Sequence, residues 1–582
     1  MKTHSPSLEE VGFTVHVATG RKPASILFKN ATILNVFSLE LEKTHLVTAG
    51  RLIAGIGDTY ENAQADRVVD LEGAYLAPGL IDGHVHIESS LVTPATYAAG
   101  VLPRGVTGVV CDPHEIGNVS GVPGIEWLLK SSDGLDLDVW VTVPSCVPST
   151  PLETSGAVLG LSEIEELLKH PRVVGVAEIM SFPDIIAGDE ENLSKALLAE
   201  RYQKSPEGHA PALSGADLQA YFATGIASDH EATTLEEGRE KLHAGVFLMV
   251  REGSVTRNLD ALMPLVQEKY GDRIGFVTDD RLPHDLLDEG GVDCLVRASI
   301  KSGVNPTYAV RCASYNVAKH YRLTRRGALA PGYFADMVVL NSLEAFTATD
   351  VYKEGKQIVQ HGNLTSSPPT NIDAPAVLNT VTLTNLTKEA FKLPACDKAR
   401  CIKPIPYQVL TEETEVAPTV VNGEVVADTK RDLLKLVCVE RHGHNGNVGA
   451  ALVAGFGLTK GALAVSVGHD HHNIMAVGCD DDDLLLACKR LEAIGGGFIA
   501  VSEGSVLAEL ALPIAGLVTS RSLEDVRKDL DTLEHAASEL GNQLPAPFMT
   551  LSFLGLAVIP ELRLTDRGLV DVNKAELVSF IR

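Results

Sequence analysis

Two histidines one residue apart, His84 and His86, close an apolar run in "PGLIDGHVHIESS" (Pro78 to Ser90). In an extended segment alternate side chains share a face, so both imidazoles point the same way. Two imidazoles on one strand are half of a transition-metal site. Alone the pair is weakly specific; its weight comes from what recurs downstream. Glu178 lies in "VVGVAEIM", His209 in "GHAPALSG", His230 in "GIASDHEATT" and Asp279 in "IGFVTDDR". Each stands where an apolar stretch meets a helix or turn. Four imidazoles and two carboxylates suit two first-row divalent cations, with one carboxylate or a water bridging. Metal-held water can have its pKa lowered to about 7, so the chemistry on offer is hydrolysis at neutral pH.

Something must bring these distant residues together. From about 78 to 330, apolar pieces such as "GVTGVVCD", "DVWVTVPS", "GVFLMVRE" and "RIGFVTDD" alternate with helical stretches such as "LSEIEELLKH" and "TTLEEGREKLHAG". Repeated βα units of this kind predict an α/β barrel or a doubly wound sheet. The ordered series of polar residues at strand ends favours a (β/α)8 TIM-like barrel, whose C-terminal strand ends converge on one mouth. Residues 1–77 and 331–400 are expected to form a small β-sandwich domain from both flanks, with a Thr/Ser/Pro-rich linker over 362–405. Residues 401–582 read as a third, C-terminal α/β domain.

Composition narrows the partners. Lys plus Arg number 49 against 76 Asp plus Glu, a formal net charge of −27. Such a surface repels nucleic acid and anionic membrane, so a small-molecule substrate is expected, with no nucleic acid and no membrane. The start "MKTHSPSLEEVGF" lacks a signal-peptide pattern, and no run of 18 or more apolar residues occurs. Nine scattered cysteines read as reduced thiols of a cytoplasmic protein. A homodimer is expected only because dimers are the commonest closed assembly.

The order His-x-His, a mid-chain acidic residue, His, His and a late Asp resembles the amidohydrolase superfamily. "LPRGVTGVVCDPHEIGNVSG", "VVGVAEIM", "GHAP", "SDHE", "TDDR" and, further on, "ERHGHNGNVG" and "GHDHHN" are similar to segments of its adenine deaminase family. The similarity spans nearly the whole chain, with one departure at His471, where a small residue is expected. It implies conversion of adenine to hypoxanthine and ammonia in purine salvage, with manganese or iron favoured and zinc possible. On this reading His84, His86, Glu178, His209, His230 and Asp279 hold two cations, with Glu178 bridging. A metal-bound hydroxide attacks purine C6, and Asp279 carries its proton to the departing ammonia. No strand-end lysine stands where many amidohydrolases carry a carbamylated one, which weakens a cyclic-amide substrate. Two alternatives stay open: another heterocycle or cyclic amide as substrate, and a non-catalytic, metal-stabilised binding scaffold.

Attack at C6 puts negative charge on the ring, so N1 needs an acid. Glu115 and His114, in "CDPHEIGNV", are candidates, with Asp112 either near the site or simply capping a turn. Glu231, Asp280 and Arg281 could orient ligands or shape the same loop. Five histidines fall close together in the third region: His442, His444, His469, His471 and His472. Either they form a surface or interdomain polar cluster, or this region closes over the barrel mouth. The run Asp480 to Asp483 is expected to start a helix, favoured by its dipole, and "GGGF" to make a tight turn.

Overall fold

The computed structural model describes residues 5–370, 375–406 and 408–582. The first strands, Ala24–Asn35, Glu40–Ala49, Leu52–Ile56, Ala65–Asp70 and Tyr75–Pro78, join Met337–Leu340, Ala348–Lys353, Lys356–Gln360 and Asn363–Leu364 in one nine-stranded sheet. Alternation decides its faces. Ile26, Phe28 and Leu46 pack with Met337, Val339 and Tyr352, whereas Leu27 and Val47 face the helix Leu8–Ala18 through Val17. Strands from both flanks thus share one continuous sheet. Its hinge is the antiparallel register Met337 to Pro78 and Val338 to Ala77, which brings the two ends of the intervening segment side by side.

Between those ends lies a curled parallel sheet. Its six-stranded part runs Ser205–Gly208, Val173–Ile179, Asp138–Val143, Val106–Cys111, Leu80–His86, Asp279–Asp280. A three-stranded part runs Ser228–Asp229, Phe247–Arg251, Ile274–Val277. The parts meet twice. Ala227 N donates to Pro206 O at 3.0 Å, and only Thr278 separates Val277 from Asp279. Strands such as Val106–Cys111 are buried along their whole length, as a parallel sheet covered on both faces demands. Helices such as His114–Ser131 and Leu235–His243 follow these strands.

The last region centres on an eight-stranded sheet that includes Ala399–Pro404, Leu433–Val439, Val448–Ala454, Ile474–Gly478 and Gly497–Ser502. Asp480 caps the helix Asp481–Ile494, accepting from the backbone of Asp482 and Asp483, and Gly495 ends it at φ 80°. The flanking sheet stops at Leu364. Residues from Pro375 onward belong with this C-terminal region: Thr382 N donates to Arg441 O at 2.8 Å, and Leu393–Pro394 pairs with Glu424–Val426.

The C-terminal region is fastened to the parallel sheet. Thr154 N donates to Asp566 Oδ1 at 2.8 Å, Asn473 Nδ2 to Thr154 O at 2.8 Å, and Thr565 Oγ1 to Leu152 O at 2.8 Å. One apolar core runs through both, including Val143 and Leu159 on one side and Leu436 and Leu564 on the other. Among the described residues no helix is long and apolar enough to cross a membrane.

Candidate metal centre

The strand Leu80–His86 is buried throughout. A register shift between Asp82 and Val85 interrupts the alternation, and beyond it His84 and His86 turn their Nε2 atoms toward each other. Asp82 accepts from Thr278 N at 3.1 Å and Thr278 Oγ1 at 2.6 Å, tying this strand to the one that delivers Asp279. His86 Nδ1 lies 2.9 Å from Asp112 O. A carbonyl only accepts, so the proton sits on Nδ1 and the lone pair of Nε2 faces the centre. Asp279 reaches the same point by a left-handed turn of the backbone, φ 59°. That conformation is uncommon for a side-chain-bearing residue, and such outliers cluster at functional sites.

The six donors converge. His84 Nε2 and His86 Nε2 are 3.2 Å apart. Asp279 Oδ1 is 3.0 Å from His86 Nε2 and 3.6 Å from His84 Nε2. Glu178 Oε1 lies 3.7 Å from His86 Nε2, while Oε2 lies 2.6 Å from His209 Nδ1 and 3.2 Å from His230 Nε2. Donors bonded to a common cation at about 2.0–2.2 Å stand this far apart, so the residues fit divalent metal. Burial alone would push Glu178 up, but the His209, His114 and His230 imidazoles hold its carboxyl well below the usual range. Burial and the neighbouring His230 push His84 down, toward the neutral form that binds metal.

Residues 75–358 match the amidohydrolase family model and residues 408–576 the adenine deaminase C-terminal domain. An adenine deaminase of Kosmotoga olearia is 44% identical over 97% of this chain and 98% of its own length. One from Desulfatibacillum aliphaticivorans is 46% identical over 97% and 99%. This chain belongs to the adenine deaminase family. Amidohydrolase membership implies a divalent metal, and the clustered donors are where it would bind.

The other expected residues divide. In this adenine deaminase family member His114 links two groups: Nδ1 is 3.0 Å from Asp112 Oδ2 and 3.3 Å from Glu178 Oε1, while Nε2 is 3.5 Å from Glu115 Oε1. Glu231 sits inside the cluster, 3.3 Å from His230 Nε2 and 3.6 Å from His209 Nδ1. Asp280 accepts from Ser89 Oγ at 2.5 Å at the cluster's edge. His469 and His472 reach Glu115 from the C-terminal region, His469 Nδ1 at 2.8 Å from Oε1.

Three expected residues are not at the centre. Arg281 turns away, its Nε donating to Gly290 O at 3.0 Å and Nη2 to Glu289 Oε2 at 2.7 Å, so it braces the loop and touches no donor. His442 Nε2 bonds His471 O at 2.9 Å, and His444 Nε2 bonds Gly156 O at 3.2 Å. Both serve the seam between regions, because the turn after Leu433–Val439 ends there. His471, the departure from the family pattern, is wholly buried beside Gly555, with Nδ1 accepting from Asn473 N at 2.9 Å.

Sequence reasoning missed four residues. Arg251 Nη1 donates to Asp279 Oδ2 at 2.7 Å and also pairs with Glu231. Asp470 Oδ1 lies 3.8 Å from His114 Nε2. Lys241 and Glu153 are buried beneath the ligand loops and the seam. Arg251 carried the same signal as the ligands, a polar residue ending an apolar strand.

Proposed function

We propose that this chain deaminates adenine hydrolytically to hypoxanthine and ammonia in purine salvage, using two divalent cations, manganese or iron in preference to zinc. The observation that carries this reading is the convergence of His84, His86, Glu178, His209, His230 and Asp279 onto a single buried centre. Glu178 turns one oxygen toward His86 and the other toward His209 and His230, so we assign it the bridging role. Bound cations supply the Lewis acidity that makes hydroxide available at neutral pH. Asp279 takes the proton of the attacking water and gives it to the departing amino group. Positioned proton transfer of this kind contributes roughly 10²–10⁴-fold in rate. His114, between Glu178 and Glu115, protonates N1 as charge builds on the ring, with the Glu115 carboxylate orienting its Nε2.

The same reading divides the chain into a composite β domain from residues 5–77 and 331–364, a (β/α)8 barrel over 78–330, and a C-terminal domain from Pro375. In-order neighbouring of the parallel strands and the two links between their parts support the barrel. We place the protein in the cytoplasm as a homodimer; a net charge of −27 agrees with a small-molecule substrate and no nucleic acid or membrane.

The test is purification with manganese present, counting of metals per chain, and assay of adenine, adenosine, guanine and dihydroorotate. Two cations and hypoxanthine from adenine are expected. Turnover of dihydroorotate with adenine untouched would overturn the reading.

A further inference from the structure

Glu115 opens the helix His114–Ser131 and is 2% exposed. Both of its oxygens are met by imidazoles from the C-terminal region. His469 Nδ1 approaches Oε1 at 2.8 Å, and His472 Nε2 approaches Oε2. The two rings meet opposite oxygens, so they grip the carboxylate from two sides.

Each imidazole is itself held. His469 N donates to Ser552 O at 3.1 Å, and its ring stacks on Phe553 at 4.6 Å with planes 8° apart. His472 N donates to Gly468 O at 2.6 Å, and its carbonyl accepts from Arg441 Nε. Arg441 is wholly buried and also donates to Ala515 O at 3.0 Å. His472 adopts φ 51°, a left-handed conformation kept only where the surroundings over-determine it. None of these contacts is needed to gather the six metal donors. All of them converge on one carboxylate beside the centre.

We propose that His469 and His472 are positioning residues that fix the Glu115 carboxylate for the purine N1 edge, so that the C-terminal region completes the reacting site. The inference rests on the deaminase reading. A glutamate in the first turn of a helix has three rotatable side-chain bonds, and a misplacement of about 1 Å can cost on the order of 10²-fold in rate. Two opposed imidazole contacts remove that freedom.

The two contacts use different ring nitrogens, and this makes the test selective. An asparagine amide can stand in for Nδ1 and a glutamine amide for Nε2. The experiment measures kcat, KM, manganese per chain and melting temperature for His469→Asn, His469→Gln, His469→Leu, His472→Gln, His472→Asn and His472→Leu in the full-length, manganese-loaded protein. His469→Leu and His472→Leu should lose about 10²-fold in kcat, with KM and manganese content held. His469→Asn and His472→Gln should keep kcat within about fivefold. The swapped amides, His469→Gln and His472→Asn, should behave like leucine. Leucine variants that keep kcat, matched and swapped amides that do not differ, or manganese lost in step with activity would each overturn the inference. Failure of the parent reading shows separately, as a wild-type protein that leaves adenine unchanged.

Discussion

Arg251 Nη1 lies 2.7 Å from Asp279 Oδ2, while the other oxygen of Asp279 faces His86 Nε2 at 3.0 Å. One carboxylate is thus shared between a permanent cation and the candidate metal centre. Burial would push Asp279 up; Arg251, with His84 and His86, holds it well below the usual range. Arg251→Met should therefore raise the Asp279 pKa and move the acid limb of the kcat/KM–pH profile to higher pH, with kcat reduced. An acid limb that stays in place would show that Arg251 does not tune this group.

Asp279→Asn keeps the shape and removes the proposed base. Turnover should fall by at least about 10²-fold, with circular dichroism and melting temperature close to wild type. A variant that keeps full turnover would show that Asp279 is not the group that carries the proton.

Lys241 is wholly buried. Its Nζ donates to Ala210 O at 2.8 Å, Asp229 Oδ2 at 2.5 Å and Glu237 Oε1 at 2.8 Å. Ala210 follows His209 and Asp229 precedes His230, so one ammonium bolts together the two loops that carry these candidate ligands. Lys241→Met should weaken manganese binding about 10–100-fold in competition with a chelator. It also leaves the buried Asp229 charge unpaired, costing about 3–5 kcal/mol. Adding Asp229→Asn should recover much of the stability and little of the affinity. Recovery of both together would mean that the lysine acts only on folding.

Glu153 is 2% exposed, and burial, reinforced by Asp470, pushes its carboxyl up to about 8. The folded state therefore holds a proton that the unfolded state releases near 4.5. The linked stability is complete below about 4.5 and is lost as pH rises toward about 8. Glu153→Gln should melt higher than wild type at pH 8.5 and match it at pH 4.5, by differential scanning calorimetry. A constant difference between the two pH values would contradict this.

Chelation should abolish adenine turnover, and manganese should restore it. The apo protein should remain folded, because the core joining Val143 to Leu436 does not involve the donors.

The clustering of His84 and His86 was legible because strand geometry turns local spacing into a shared face: the pair needs only period two. The series of strand-end residues then implied one meeting point. Arg251 was equally visible in "GVFLMVRE" but reads as an ordinary end to a strand. Asp470 was hidden among the histidines of "GHDHHN". The contact of His469 with Glu115 depends on how two regions dock, which no local period encodes. The same holds for the stretch that follows the flanking sheet. Residues 375–394 look like linker by composition, yet their hydrogen-bond partners lie in the C-terminal region.

The register of Pro78 with Met337 has a kinetic consequence. The flanking sheet cannot be finished until the ribosome has delivered everything between these two residues and that segment has brought its ends together. Closure entropy grows only logarithmically with loop length, so the delay is in waiting and not in final stability. During synthesis the early strand Tyr75–Pro78 should present an open edge to the crowded cell, and nascent-chain capture by chaperones should fade once Leu340 has emerged.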